Sequence, residues 1–256
     1  MSYKESTHDI LLSYHKKFGT EKTLQIAHAM LESSTHKSEG HFLSHVHGEI
    51  CETVLEMLVI DFINVYHLES KGWFYKSGLI LKDVNNPGSG YFTELDLTVF
   101  SPQKIFAFEC KSYGGDKKIT DRCTIRKKKG GTFDVYEQHS QHFKVLADQM
   151  QPFRIASPKT RGYASYQLAL FDYALGKTED IRDNSAKLLM PCVNETNVRN
   201  LLKLALDAPT QWSISHVKQA IEIISRKQRE NTKEHLKYVT ELNNRRRANN
   251  AGGKYE

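Results

Sequence analysis

Asp96, Glu109 and Lys111 are the residues whose types and spacing could do chemistry, and they lie within YFTELDLTVFSPQKIFAFECKSYGG, residues 91–115. Thr93, Leu95, Leu97 and Val99 alternate with Phe92, Glu94, Asp96, Thr98 and Phe100, which predicts a strand, and the apolar run up to Cys110 predicts a second. Between them, Ser101-Pro102-Gln103-Lys104 suits a tight turn, because the proline ring presets φ at the second position of a type I turn. A hairpin closed with Ser101 opposite Lys104 sets Asp96 opposite Glu109 and Glu94 opposite Lys111, all on one side of the sheet. Directly opposed residues have Cβ atoms roughly 4.5–5.5 Å apart, so two carboxylates there repel unless something compensates. Mg²⁺ or Mn²⁺ would do so, since hard cations take carboxylate and carbonyl oxygens and keep waters for chemistry. Lys111, one pleat beyond Glu109, can bring an ammonium to an oxyanion developing beside that ion. This is the arrangement that metal-assisted hydrolysis of a phosphodiester requires.

Several elements must hold this hairpin. Residues 49–64 predict a helix in which Ile50, Val54, Met57 and Leu58 share one face and Glu49, Glu52 and Glu56 the opposite one. Because Val59, Ile60 and Ile63 continue the glutamate face, the helix is apolar nearly all round, and Glu49 or Glu52 falls at the rim of a site rather than in bulk water. Residues 73–84 predict a third strand, giving a three-stranded antiparallel meander with the hairpin. Residues 133–150 predict a helix with Tyr136, His139, Phe143 and Leu146 on or near one side and Gln138, Gln141 and Gln149 elsewhere. The runs 166–173 and 187–193 are β-leaning, residues 197–208 are helical in pattern, and residues 214–247 predict a long closing helix. Residues 5–34 predict two short helices, and residues 33–48, rich in Ser, Thr, His and Gly, a loop. His41, His45 and His47 in that loop lack further Cys or His ligands at a definite spacing. After Gly114 and Gly115 the chain reads as a polar, basic loop carrying Arg126, Lys127, Lys128 and Lys129.

The 256 residues suffice for one good core with helical additions, divided as 1–45, 46–208 and 209–256. A mean hydropathy of -0.54 and the lack of an 18-residue apolar run exclude a membrane span from expectation. The N-terminus has no signal-type apolar region. The four cysteines, Cys51, Cys110, Cys123 and Cys192, form no CxxC pair, which argues against structural zinc and a disulfide framework and for a reducing, cytoplasmic setting. The net charge of +6 is uneven: residues 111–131 carry net +6 and residues 213–256 net +5, so the remainder is acidic. Such polarity fits a polyanion on one side.

The ordered set GEICE, ELD, FAFECKSYGG and YEQHSQHFKVL resembles the PD-(D/E)xK nuclease superfamily, most closely the nuclease-related domain, over about residues 46–150. The resemblance implies a restriction-endonuclease-like, mixed α/β fold: helix, meander, helix and strand, with helical N- and C-terminal additions. It implies a Mg²⁺- or Mn²⁺-dependent nuclease acting on DNA, with RNA less favoured, in repair, mobile-element or defence contexts. The alternative is a non-catalytic nucleic-acid-binding module on the same fold. Asp96 and Glu109 then correspond to metal ligands, with the Cys110 carbonyl as a third, and Lys111 to the residue that positions water or stabilises the pentavalent phosphate. Glu49 resembles the acid of the first helix, with Glu52 as the fallback. Gln138 or Gln141 resembles the glutamine that orients the site or touches phosphate. Lys117, Lys118, Arg126, Lys127, Lys128 and Lys129 are the expected phosphate contacts. Glu94 is an extra acid close by, and if it pairs with Lys111 that lysine is held but partly neutralised. The closing helix is a candidate surface for a homodimer or a protein partner.

Overall fold

The hairpin forms with the register its turn dictates. In the computed structural model, which describes residues 6–34, 40–83, 92–128, 130–150 and 166–252, strand β2 (Phe92–Phe100) pairs antiparallel with β3 (Ile105–Lys111) from Phe100↔Ile105 to Leu97↔Phe108. At the corner, the Ser101 amide donates to the Lys104 carbonyl at 3.2 Å, and the Ser101 hydroxyl accepts from the Lys104 amide at 2.9 Å. Strand β1 (Phe74–Lys82) pairs antiparallel with β2, which completes the meander. On the other side β3 pairs in parallel with β7 (Tyr166–Asp172), and β7 with the short β9 (Cys192–Val193). The first sheet therefore runs β1-β2-β3-β7-β9.

Each face of this sheet is covered. Helix α3 (Gly40–Val65) lies on one face, against Leu97, Val99, Phe106, Phe108 and Phe171, and is itself covered by α1 (Thr7–Phe18), α2 (Thr20–Ser34) and α6 (Val198–Leu206). A helix enclosed on both sides must be apolar all round, which is the pattern residues 50–63 carry. Its two inward acids are matched: His8 meets Glu56 at 3.0 Å, while Asp61 collects Thr20, His15 at 2.9 Å and Arg199 at 3.2 Å. The helix begins earlier than expected. Residues 40–48, read as part of a loop, are helical, because they extend an already stable helix at no new nucleation cost.

The opposite face packs against α4 (Val135–Gln149) through Phe143 and Leu146, and against α7 (Ile214–Gly252) through Val217, Ala220 and Ile224. Helix α7 also covers the edge of the sheet. The Gln228 side chain accepts from the Ile80 amide and donates to the Gly78 carbonyl, both at 2.8 Å, and Asn231 donates to the Ile80 carbonyl at 3.0 Å. These bonds fill the ladder positions an unpaired edge strand would otherwise leave open.

The basic segment after Gly115 differs from expectation. It is ordered as β4 (Lys117–Thr120), β5 (Thr124–Lys127) and β6 (Thr132–Asp134), and with β8 (Thr178–Asp180) these strands make a second sheet in the order β6-β5-β4-β8. Strands of three or four residues cannot show a period-2 pattern, and β8 joins from over fifty residues away, so the sheet is invisible to local reading. Likewise residues 187–193, read as β-leaning, divide between α5 (Asn184–Leu189) and β9.

Candidate active site

The acid cluster sits where β2 and β3 part. Beyond Leu97↔Phe108 the ladder stops, and the Asp96 carboxylate takes over the freed backbone donor, accepting from the Cys110 amide at 2.6 Å. Across from it on β1 stands Gly78, whose φ of +56° is one that a side chain rarely tolerates. One face of β3 then carries Ala107, Glu109 and Lys111 in succession. Glu109 is 3% exposed, and Lys111 folds back onto it, donating from Nζ to Oε1 at 2.5 Å. Glu94, which the register sets opposite Lys111, makes no such pair among the described contacts: the lysine is satisfied two residues away on its own strand.

Glu109 has a second partner that sequence reasoning placed in the core and gave no role. His139 on α4 is fully buried, with Nε2 at 2.9 Å from the Ala107 carbonyl and Nδ1 at 3.2 Å from Glu109 Oε2. A carbonyl only accepts, so Nε2 carries a hydrogen, and Nδ1 can donate to the carboxylate only when the ring carries a second hydrogen as an imidazolium. Its signal was present, since Val135, His139, Phe143 and Leu146 share the buried side of α4. The neighbouring glutamines face away. Gln138 is exposed, and Gln141 is exposed and donates to Glu137 within its own helix at 2.8 Å, so neither joins the cluster.

Glu52 rather than Glu49 is the α3 acid closest to the hairpin electrostatically. Burial first, then the charges of Asp96, Glu94 and Glu49, push the Glu52 carboxyl up to about 8, with Lys111 opposing. Glu49 lies one turn back, 3.8 Å from the exposed His45. Burial and the Glu109 charge also push Asp96 up, against the Cys110 amide and Lys111. Glu109 goes the other way: the His139 and Lys111 contacts overcome its burial and hold it well below the usual carboxylate range. Lys111, though burial opposes it, is raised by Glu109. Asp96 thus gives up its proton at a higher pH than Glu109, as expected for two neighbouring acids that cannot both ionise cheaply.

This donor set fits a hard divalent cation. The strain on Asp96 and Glu52 is what a positive charge would relieve, and oxygen donors are what such ions take. Among the described residues no group of three or more His, Cys, Asp or Glu side chains converges as a ready cage, so main-chain carbonyl and water would complete the shell. The cysteines do not compete, all four being free thiols and three of them buried.

The basic residues divide. Lys117 is buried: it pairs with Asp172 at 2.9 Å and donates to the Tyr113 carbonyl at 3.0 Å, so it holds the two sheets together rather than facing phosphate. Its place in an inward-facing position of β4 explains this, a placement invisible while the segment read as a loop. Lys118, Arg126 and Lys128 are exposed and engaged by Glu179, Asp121 and Asp116 at 3.2, 3.3 and 3.6 Å. Lys127 lies over the Tyr113 ring at 4.7 Å. Lys129 lies outside the described residues.

A helix, a mixed sheet and a second helix converge on Asp96, Glu109 and Lys111. Residues 52–164 match the family model of the nuclease-related domain, a family of the PD-(D/E)xK-like nuclease superfamily. The match contains Glu52, Asp96, Glu109, Lys111 and His139. It begins beyond Glu49. Among solved structures, protein VC1899 from Vibrio cholerae is similar at 14% identity and a TM-score of 0.34, over 66% of this chain and 36% of that one. The chain therefore spans little more than a third of that protein, a likeness too slight to carry an argument. No curated protein matches. Among the described residues no helix is long and apolar enough to cross a membrane.

Proposed function

We propose that the protein is a metal-dependent nuclease that hydrolyses phosphodiester bonds, most readily in DNA, at the Asp96–Glu109–Lys111 cluster. The observation that carries this reading is the pair of acids at the parting of β2 and β3, Glu109 buried and Asp96 half-buried, with Lys111 on one oxygen of Glu109. Asp96, Glu109 and the Cys110 carbonyl would hold Mg²⁺ or Mn²⁺, which supplies a Lewis acid and lowers the pKa of water. The protein's own residues do the rest. His139 fixes the Glu109 carboxylate from behind, leaving Lys111 to swing from Glu109 toward charge building on the phosphate oxygens. Asp96 and Glu52, whose carboxyls burial pushes up, would hold the cation in their deprotonated forms. Lys118, Arg126 and Lys128 contact phosphates by exchanging exposed ion pairs, each worth little, for the substrate backbone.

Plasmid nicking by purified protein with Mg²⁺ and with EDTA tests the proposal. Metal-dependent nicking that disappears in Asp96→Asn and Lys111→Ala supports it. Variants that cut as fast as the parent would assign the activity to a contaminant, and salt-sensitive binding without any cutting would leave a nucleic-acid-binding module on the nuclease fold.

A further inference from the structure

Next to the acid cluster, two aromatic rings and a lysine stand together, Tyr113 packed against the edge of the core and Phe133 outside it. Tyr113 follows Lys111 by two residues, and its hydroxyl is near enough to feel the charges of Lys111 and Glu109. Its ring stacks on Phe133 with centroids 4.5 Å apart and planes inclined by 21°. Lys127 Nζ lies 4.7 Å from the Tyr113 centroid and 5.7 Å from that of Phe133, within cation–π range of both. Phe133 belongs to β6, the outermost strand of the second sheet, all three of whose residues are exposed, and is itself 37% open to solvent. A phenyl ring on a solvent-facing edge does little for the fold, and sheet edges more commonly carry charge.

The surroundings match the aromatic stack. A cleft of ≈ 790 Å³ runs past Gly114, Gly115, Asp116, Lys127, Lys128 and Gly130, and a groove of ≈ 360 Å³ is lined by six basic residues, Lys127 and Arg126 among them, against two acids, Asp116 and Glu179. A Cβ added at Gly114, Gly115 or Gly130 would meet nothing within 4 Å, so the backbone beside the rings is open to a bulky occupant. Lys127 belongs both to this groove and to the aromatic stack, and aromatic rings beside a mainly basic groove are what binds single-stranded nucleic acid: the groove tracks phosphates and the rings stack on bases. A duplex keeps its base faces covered by neighbouring pairs. Only an unpaired base can use such a platform.

We propose that Tyr113, Phe133 and Lys127 form a stacking platform for an unpaired base beside the scissile phosphate, so that the site takes single-stranded nucleic acid in preference to duplex. The proposal rests on the nuclease reading above and adds the strandedness of its substrate. Asp96→Asn protein, which should bind without cutting, is titrated into a fluorescein-labelled oligothymidine, a duplex of equal length, and a single strand carrying 2-aminopurine. The single strand should bind more tightly, with 2-aminopurine emission quenched as the base stacks. Phe133→Ala should weaken single-strand binding about tenfold and move the ratio of single-strand to duplex affinity toward one. Phe133→Leu, which keeps apolar bulk at the edge, should do the same, and Phe133→Trp should restore the preference. Equal affinity for the two forms, unquenched 2-aminopurine, or a Phe133→Leu protein with undiminished preference would overturn the platform. Metal-dependent nicking by the parent would still stand in those cases. A parent that neither binds nor nicks any nucleic acid would remove both proposals together.

Discussion

Replacing Glu52 by glutamine should stabilise the metal-free protein at alkaline pH and leave it unchanged in acid. Glu52 is partly buried on α3, faces Asp96 and Glu94, and has its carboxyl pushed from 4.5 to about 8. An acid whose folded pKa lies above its unfolded one binds more protons in the folded state, so folding stability falls as pH rises between the two values, from about 4.5 to about 8. At 1.36 kcal/mol per pH unit, charging this group in a rigid site would cost about 5 kcal/mol. Water entry and side-chain movement reduce that to about 1–3 kcal/mol. Glu52→Gln removes the charge and keeps the shape, so its gain should grow to that range above pH 8. For a chain of this size, about 2–4 °C of Tm per kcal/mol makes the gain several degrees. Thermal unfolding in EDTA at pH 5, 7 and 9, with parent and variant side by side, measures it. A Tm difference that does not change with pH, or a variant less stable at pH 9, would show that Glu52 does not sit in the field of Asp96 and Glu94.

Other perturbations separate site from scaffold. His139→Phe leaves Glu109 Oε2 facing an apolar ring, and urea unfolding should report a loss of about 3–5 kcal/mol, whereas Gln138→Ala and Gln141→Ala should leave nicking rates within about twofold. Lys117→Met strands Asp172 in the interior and should cost about 3–5 kcal/mol in the same assay. Lys118→Ala or Lys128→Ala should leave Tm in place and instead lower the slope of log binding constant against log salt by about 1 each. The Tm increase given by Mg²⁺ should be larger at pH 8 than at pH 6, because at the lower pH the ion must first displace protons held by Asp96 and Glu52. An equal increase at both values would argue that these carboxyls do not meet the metal.

Much of the site was legible because it depends on local geometry. Period-2 alternation and a proline-bearing corner admit one register for β2 and β3, and the pairs from Phe100↔Ile105 to Leu97↔Phe108 follow it. The helix apolar on all sides announced that Glu52 or Glu49 would lie at a boundary between core and water. Choosing between them required knowing which turn of α3 approaches the end of the sheet. On α4 the apolar stripe already placed His139 inward, yet its role depends on Glu109 arriving from a strand thirty residues earlier.

Residue order by itself determined the meander, its register, the buried helix and the concentration of positive charge after Lys111, because each follows from contacts between near neighbours or from composition. Tertiary structure alone decided that Lys111 bonds Glu109 and not Glu94, that His139 backs the site, that Lys117 is interior, and that the basic segment is a sheet. Those outcomes turn on which distant segments meet, above all β8 beside β4 and α4 beneath β3. Once they meet, a charge that leaves water must find a partner close by, and the packing settles which partner that is.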